Sequence, residues 1–207
     1  MPLIKSSMQT RAAEYERETE RDCDTLIEHL CDTSDEVRRW AARDLQYCPG
    51  SSSILVDHLQ IEPEPSVREV IFTTLTRLGD VTAVDGLVAC LRSDDAALRN
   101  EAVLAMQQLP GAVAPIMQDL LHDADSDVRI FAVNILESLR HPNVEQWLRE
   151  VIESDPQINV CATAVDLLGE VGSPDSMNSL QKLKTRFTNE PYIQFAADLA
   201  IQRIMDH

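Results

Sequence analysis

The sequence predicts an all-α fold, an α-solenoid (a right-handed superhelix) of about six two-helix repeats. Three observations favour this fold class. Apolar residues recur in phase every 30 to 31 residues along much of the chain. Aromatic residues make up only 4% of the composition and there are 6 glycines, which disfavours a β-rich architecture. Asp, Pro and Gly fall between the apolar segments, where helices are expected to begin and end.

The period is clearest in the second helix of each repeat, called helix B below. Four of these helices open with an apolar residue followed by arginine: Val37-Arg38, Val67-Arg68, Leu98-Arg99 and Val128-Arg129. The series continues more weakly at Val160 and Ile193. We number positions from the apolar residue of each repeat, so that Val37 is position 0 of the first. All six repeats place apolar residues at positions 0, +4, +8 and +11, which is one face of an α helix.

Another apolar stretch precedes each helix B and predicts the first helix of the repeat, helix A. These stretches end at Leu30, Leu59, Leu91, Leu121, Ile152 and Leu183. Aspartates in the turns that follow, such as Asp95 and Asp125, are expected to cap helix B. One helix pair cannot bury both of its apolar faces, so the pairs are expected to stack around a shared core. Residues 22–207 are predicted to form this single-domain solenoid, preceded by a charged extension or cap at residues 1–21.

The charge and the cysteines limit the possible partners and locations. The chain has 35 acidic and 18 basic residues, a formal net charge of −17. This balance argues against binding to nucleic acid or an anionic membrane and favours a protein partner with a basic patch. Five scattered cysteines suggest reduced thiols in the cytoplasm. No segment has the apolar length of a signal peptide or a membrane span, which also predicts a cytoplasmic protein.

The chain resembles HEAT repeats, in particular the short bacterial form called the phycobilisome-lyase-type HEAT-like repeat. The resemblance is clearest at Asp125-Ser126-Asp127-Val128-Arg129 and covers roughly residues 22–205. It implies that the B helices line a groove and that turn aspartates and helix-B arginines form a ladder between repeats. The residues matching that ladder are Asp35, Arg38, Arg68, Arg99, Asp127 and Arg129. The last two repeats depart from it, with Cys161 and Gln194 at the arginine position.

Catalytic chemistry finds little support in the sequence. None of the five histidines is followed by Glu, as the di-iron hydroxylases among HEAT proteins would require. The aspartates at 123, 125 and 127 resemble a calcium loop, but its glycine and final glutamate positions hold Val128 and Asn134. Cys161 is the one cysteine considered as a nucleophile. No cofactor, metal or catalytic residue is predicted, and the net charge disfavours the DNA glycosylases built from such repeats.

Helix-B positions +2, +3, +6 and +9 are expected to face the groove. They offer an aromatic and cationic cluster of Arg39, Trp40 and Arg43, and an apolar patch of Leu104, Ile130 and Phe131. Tryptophan and arginine often anchor protein interfaces. The alternative is that Trp40 and Phe131 pack between adjacent repeats. The sequence therefore predicts a non-enzymatic adaptor or scaffold, and the family resemblance adds the alternative of an accessory subunit of a bilin-lyase-like enzyme.

Overall fold

The computed structural model describes residues 22–206, and these residues fall into two compact units divided between Ala83 and Val84. All regular structure in the described residues is helical, which confirms the all-α prediction. The extension predicted for residues 1–21 lies outside the described residues. The single domain predicted for residues 22–207 stays a prediction. No described helix has the length and apolar character needed to cross a membrane.

The helices follow the predicted order of A and B. The A helices are α1 (Cys23–His29), α3 (Ser51–Leu59), α5 (Val81–Cys90), α7 and α8 (Pro110–Val113 and Met117–Leu121), α10 (Val144–Ser154) and α12 (Met177–Arg186). The B helices are α2 (Asp35–Asp44), α4 (Pro65–Leu78), α6 (Ala96–Gln107), α9 (Ser126–Leu136), α11 (Ile158–Val171) and α13 (Pro191–Asp206). Short 3-10 turns span Leu45–Tyr47, Ala114–Ile116 and Pro174–Ser176.

Two of the turn aspartates cap helices as predicted, whereas the N-cap residues of α2 and α11 form no side-chain capping hydrogen bond. The side chain of Asp95 accepts a hydrogen bond from the backbone N–H of Ala97 at 2.8 Å. Asp125 accepts in the same way from the backbone N–H of Asp127 at 2.9 Å. Each carboxylate satisfies an N–H group that has no partner within the helix and lies at the positive end of the helix dipole. Helices α6 and α9 therefore begin at residues fixed by local sequence.

The B helices pack side by side within each unit, α2 against α4 in the first and α6, α9, α11 and α13 in series in the second. Positions 0, +4 and +8 are buried in every repeat except the first, where Val37 is half-buried. Position +11 departs further, because Val171 is 45% exposed. Helices α11 and α13 approach closely at Gly169, where a Cβ atom would lie 3.3 Å from Ala200 Cα. A larger residue at Gly169 would separate these two helices.

The first unit contains a disulfide that the sequence did not suggest. Cys23 at the start of α1 is bonded to Cys48, which follows the first 3-10 turn. The expectation that all five cysteines are reduced is therefore wrong for this pair. The remaining cysteines are free: Cys90 and Cys161 are buried and Cys31 is exposed. The bond joins helix A of the first repeat to the end of its helix B, a proximity produced by antiparallel packing and not visible in the spacing of 25 residues.

Candidate protein-binding surface

The arginine after position 0 ties each A–B turn to its helix B. Four side chains do this: Arg38, Arg68, Arg99 and Arg129. Each donates to the backbone carbonyl six residues earlier, at 2.9, 2.6, 2.6 and 2.8 Å respectively. These carbonyls lie in turns, where no helical N–H group is available to them. The matched arginines therefore hold the turns between helices A and B in the first four repeats.

Two of these arginines also form buried ion pairs with the next repeat. Arg38 donates from Nε and Nη2 to the two carboxylate oxygens of Glu62, both at 2.8 Å. Arg129 pairs with Asp155 at 2.7 and 3.1 Å. The carboxylates that accept are thus Glu62 and Asp155, five residues before position 0. The structure does not bring Asp35 or Asp127, which the family pattern suggested, into these two pairs.

Glu62 is the most strongly perturbed carboxylate in the first unit. Burial alone would raise its pKa, but hydrogen bonds from Arg38, from the backbone N–H of Glu64 and from His58 lower the pKa to about 2. His58 Nε2 lies 2.8 Å from Glu62 Oε2. Glu62 accepts on both oxygens and is ionised at neutral pH. Its hydrogen bonds all come from the protein itself, from Arg38, His58 and the backbone of Glu64. Glu62 therefore has a structural role.

In the fifth repeat the missing arginine is replaced by one from another helix. Arg186, at the end of α12, donates to the carbonyl of Asp155 and to Cys161 Sγ, the latter at 3.1 Å. Burial raises the pKa of the Cys161 thiol to about 11, although Arg186 acts in the opposite direction. A buried thiol that stays protonated is a poor nucleophile. In the sixth repeat Gln194 donates to the carbonyls of Lys184 and Phe187.

The predicted binding residues of the first unit lie together on α2. Arg39, Trp40 and Arg43 are all half-buried. The guanidinium carbon of Arg43 lies 4.0 Å from the Trp40 ring centroid, which indicates a cation–π contact. Arg43 also pairs with Asp44 at 2.9 Å, and Arg39 lies 3.8 Å from Asp35. Neighbouring carboxylates therefore offset the positive charge of this cluster, so its aromatic ring is its main feature.

The predicted apolar patch of the second unit is on α6 and α9. Leu104 is 58% exposed, while Ile130 and Phe131 are half-buried. The guanidinium carbon of Arg99 lies 5.8 Å from the Phe131 ring centroid. Phe131 thus has one ring face towards Arg99 and part of its surface in solvent. This intermediate placement lies between the two alternatives considered for it, full exposure and full packing between repeats.

Two clefts border the B helices of the second unit. One, of about 350 Å³, lies beside the A–B turns and is lined in part by His122, Asp123, Trp147 and the Arg129–Asp155 pair. The other, of about 200 Å³, lies between α9 and α11. Its lining is Val133, Asn134, Glu137, Thr163, Asp166, Leu167 and Glu170. The described residues contain no group of three or more His, Cys, Asp or Glu side chains arranged to hold a metal ion.

Sequence reasoning missed four residues that organise this scaffold. They are Glu62, Asp155, Arg186 and Cys48 as the partner of Cys23. A signal for two of them was present, because Asp32, Glu62, Asp123 and Asp155 all lie five residues before position 0. No comparable signal marks Arg186, which comes from helix A of the following repeat.

Comparison with known protein families identifies the repeat. The family model for HEAT repeats matches residues 23–107, 52–124 and 113–202. No curated protein matches the sequence significantly. Human deoxyhypusine hydroxylase has a similar structure, with 16% identity over 89% of this chain and 85% of that chain and a TM-score of 0.47.

Two further solved structures are similar at the same distant level. An engineered protein shares 20% identity over 89% of this chain and 97% of its own, with a TM-score of 0.41. The complex of CpcE and CpcF of phycocyanin lyase from Nostoc sp. PCC7120 shares 17% identity over 87% and 94%, with a TM-score of 0.37. The match to the repeat model and the succession of helix pairs confirm the predicted all-α solenoid.

Proposed function

This chain belongs to the HEAT-repeat family, and we propose that it is a non-enzymatic adaptor or scaffold that binds a partner protein or peptide on the open face of its B helices. The observation that carries the proposal is the 58% exposure of Leu104 beside the half-buried Phe131. Apolar side chains that are exposed together on neighbouring helices are typical of surfaces that a partner covers.

The surroundings of these residues support the proposal. The turns are held by the half-buried Arg99 and the buried Arg129, so the B helices form a rigid support for side chains on their open faces. In the first unit, Trp40 and Arg43 on α2 form a separate aromatic feature of the kind enriched at interfaces. Cys161, the one nucleophile considered, is buried and protonated. The chemistry available on the open faces is therefore that of binding.

The first test is capture of the partner by the tagged protein in its native host. We expect one stoichiometric partner protein, and we expect the double substitution Leu104→Ser and Phe131→Ala to abolish its capture because both apolar contacts are lost. The matched control is Ile61→Ser, which removes an even more exposed apolar side chain from a turn of the first unit. Circular dichroism would check that each variant is folded.

Retained capture by the double variant would contradict the proposed surface, as would equal loss in the Ile61 variant. A purified protein that carries a coloured bilin or haem would instead favour the lyase-type alternative.

We further propose a cytoplasmic location, and the Cys23–Cys48 disulfide provides its test. Cytoplasmic proteins keep their thiols reduced, whereas disulfides persist in oxidising compartments. In that location the bond seen in the structure is expected to be reduced by the cellular thiol pool, so both thiols should be free in growing cells. Acid quenching of cells, followed by alkylation and mass spectrometry of the Cys23 and Cys48 peptides, measures this. A pair that is fully oxidised in growing cells would contradict the location.

A further inference from the structure

The B helices of the second unit present apolar and acidic side chains on one continuous face. Gln107 Nε2 donates to the backbone carbonyl of Asn134 at 2.9 Å, which aligns α6 with α9. Leu104 lies one turn before Gln107, and Phe131 lies one turn before Asn134. The two apolar side chains are therefore on neighbouring turns of adjacent helices, and together they form the apolar part of this face.

The acidic part of the face begins at the end of α9, with Glu137. Glu137, Asp166 and Glu170 are exposed and line the cleft of about 200 Å³ between α9 and α11. The buried side chains of Val133 and Leu167 also line the cleft. Pockets for small ligands and cofactors usually measure roughly 300–1,000 Å³. A cleft below this range accommodates the end of one long side chain with an apolar stem and a polar head.

The negative charge of the cleft is not neutralised by the protein. Among the residues that the structure describes, none of the three carboxylates forms an ion pair. Asp166 accepts a hydrogen bond from Tyr192 Oη at 3.2 Å, and its negative charge raises the pKa of that hydroxyl. A cation from outside the chain would therefore find carboxylates that are not already engaged in an ion pair.

We propose that this face docks a peptide segment of the partner protein that carries both basic and apolar side chains. The apolar side chains contact Leu104 and Phe131, and a lysine or arginine enters the cleft to meet Asp166 and Glu170. The inference rests on the proposed function and adds the chemistry of the partner to it. Charge complementarity selects this occupant, because the net charge of −17 attracts basic segments and the cleft offers unpaired carboxylates at close range.

The test uses a synthetic peptide of alternating leucine and lysine and a second peptide with glutamate in place of lysine. We expect the lysine peptide to bind with measurable affinity in calorimetry or fluorescence anisotropy, and the glutamate peptide not to bind. Asp166→Asn with Glu170→Gln should weaken binding of the lysine peptide about tenfold, because two charge-assisted contacts are lost. Higher salt should weaken it further.

A matched control separates the cleft from general attraction to an acidic protein. Asp85→Asn with Asp119→Asn removes the same charge from exposed positions on helices A. This control should change the dissociation constant less than about twofold, because exposed charges outside the contact are largely screened. Equal weakening by both double variants, or equal binding of the two peptides, would overturn the inference. If the cleft variant is misfolded, Glu137→Gln provides an independent substitution in the same cleft.

The two proposals fail in different ways. A native partner that is lost with the Leu104 and Phe131 substitutions but kept with the Asp166 and Glu170 substitutions would support the adaptor function and refute the basic segment. A native host that yields no partner would refute the adaptor function, whatever the peptides do.

Discussion

Replacing Glu62 by Gln is expected to lower the free energy of unfolding by about 3 kcal/mol at neutral pH. The carboxylate is buried and accepts from Arg38 at 2.8 Å on each oxygen, with His58 at 2.8 Å as a third contact. An amide can accept on only one atom, so the substitution leaves the Arg38 guanidinium partly unpaired in the interior. The lowered pKa, from 4.5 to about 2, corresponds to a stabilisation of the same size.

The pH dependence follows from the direction of this shift. The folded state holds Glu62 ionised at a pH where the unfolded state has already begun to protonate it. Its contribution to stability is therefore fully present above pH 4.5 and is lost as the pH falls towards 2. The difference in stability between the wild type and Glu62→Gln should shrink over this range.

Urea unfolding, followed by circular dichroism between pH 7 and pH 3, would measure the effect. Glu69→Gln is the control, since Glu69 is an exposed carboxylate on α4 of the same unit. It should change stability by less than about 0.5 kcal/mol. A cost for Glu62→Gln that is as small as the control, or that does not change with pH, would contradict the assignment of Glu62 as an ionised buried group.

Replacing Arg129 by Met is expected to cost about 3–5 kcal/mol, because it leaves Asp155 as a buried charge without its partner. The substitution also removes the hydrogen bond of 2.8 Å that Arg129 donates to the backbone carbonyl of Asp123. Methionine keeps much of the side-chain volume, so packing changes contribute little. Chemical unfolding of the purified variant would measure the cost.

The same unit supplies a matched control for Arg129. Arg92 pairs with Asp123, but its side chain is 47% exposed, so Arg92→Met should cost less than about 1 kcal/mol. Adding Asp155→Asn to Arg129→Met should cost less than the sum of the single changes, because the two groups act on each other. Equal costs for Arg92→Met and Arg129→Met would show that burial does not determine the contribution of the Arg129–Asp155 pair to stability. A double variant that costs the full sum of its two single changes would contradict the interaction between Arg129 and Asp155.

The faces of the helices were predictable from the sequence. A period of 30 to 31 residues with apolar positions 0, +4 and +8 determines which side of each helix B is buried, since 3.6 residues per turn bring these positions together. The capping residues Asp95 and Asp125 were predictable for the same local reason. The open face of the B helices follows by exclusion, and the assignment of Leu104 to a binding surface on it stays a prediction.

Contacts between helices were decided by tertiary packing. Helical periodicity places a residue on a face but does not fix its distance to a residue on another helix, which depends on how the helices approach each other. For this reason the sequence predicted Arg38 and Arg129 as ladder residues but missed Glu62 and Asp155 as their acceptors.

Helical periodicity also failed to predict two features of the fifth repeat. Val171 occupies a predicted core position, yet it lies at the last residue of α11 and is exposed. Arg186 takes over the turn of the fifth repeat from outside the repeat, because helix α12 ends beside Asp155. The sequence by itself determined the repeat, the helix faces and the acidic character of the chain. The tertiary structure alone decided which charges are paired and buried and which, like Asp166 and Glu170, are exposed without an ion pair, because pairing depends on distances between helices that no repeat period encodes.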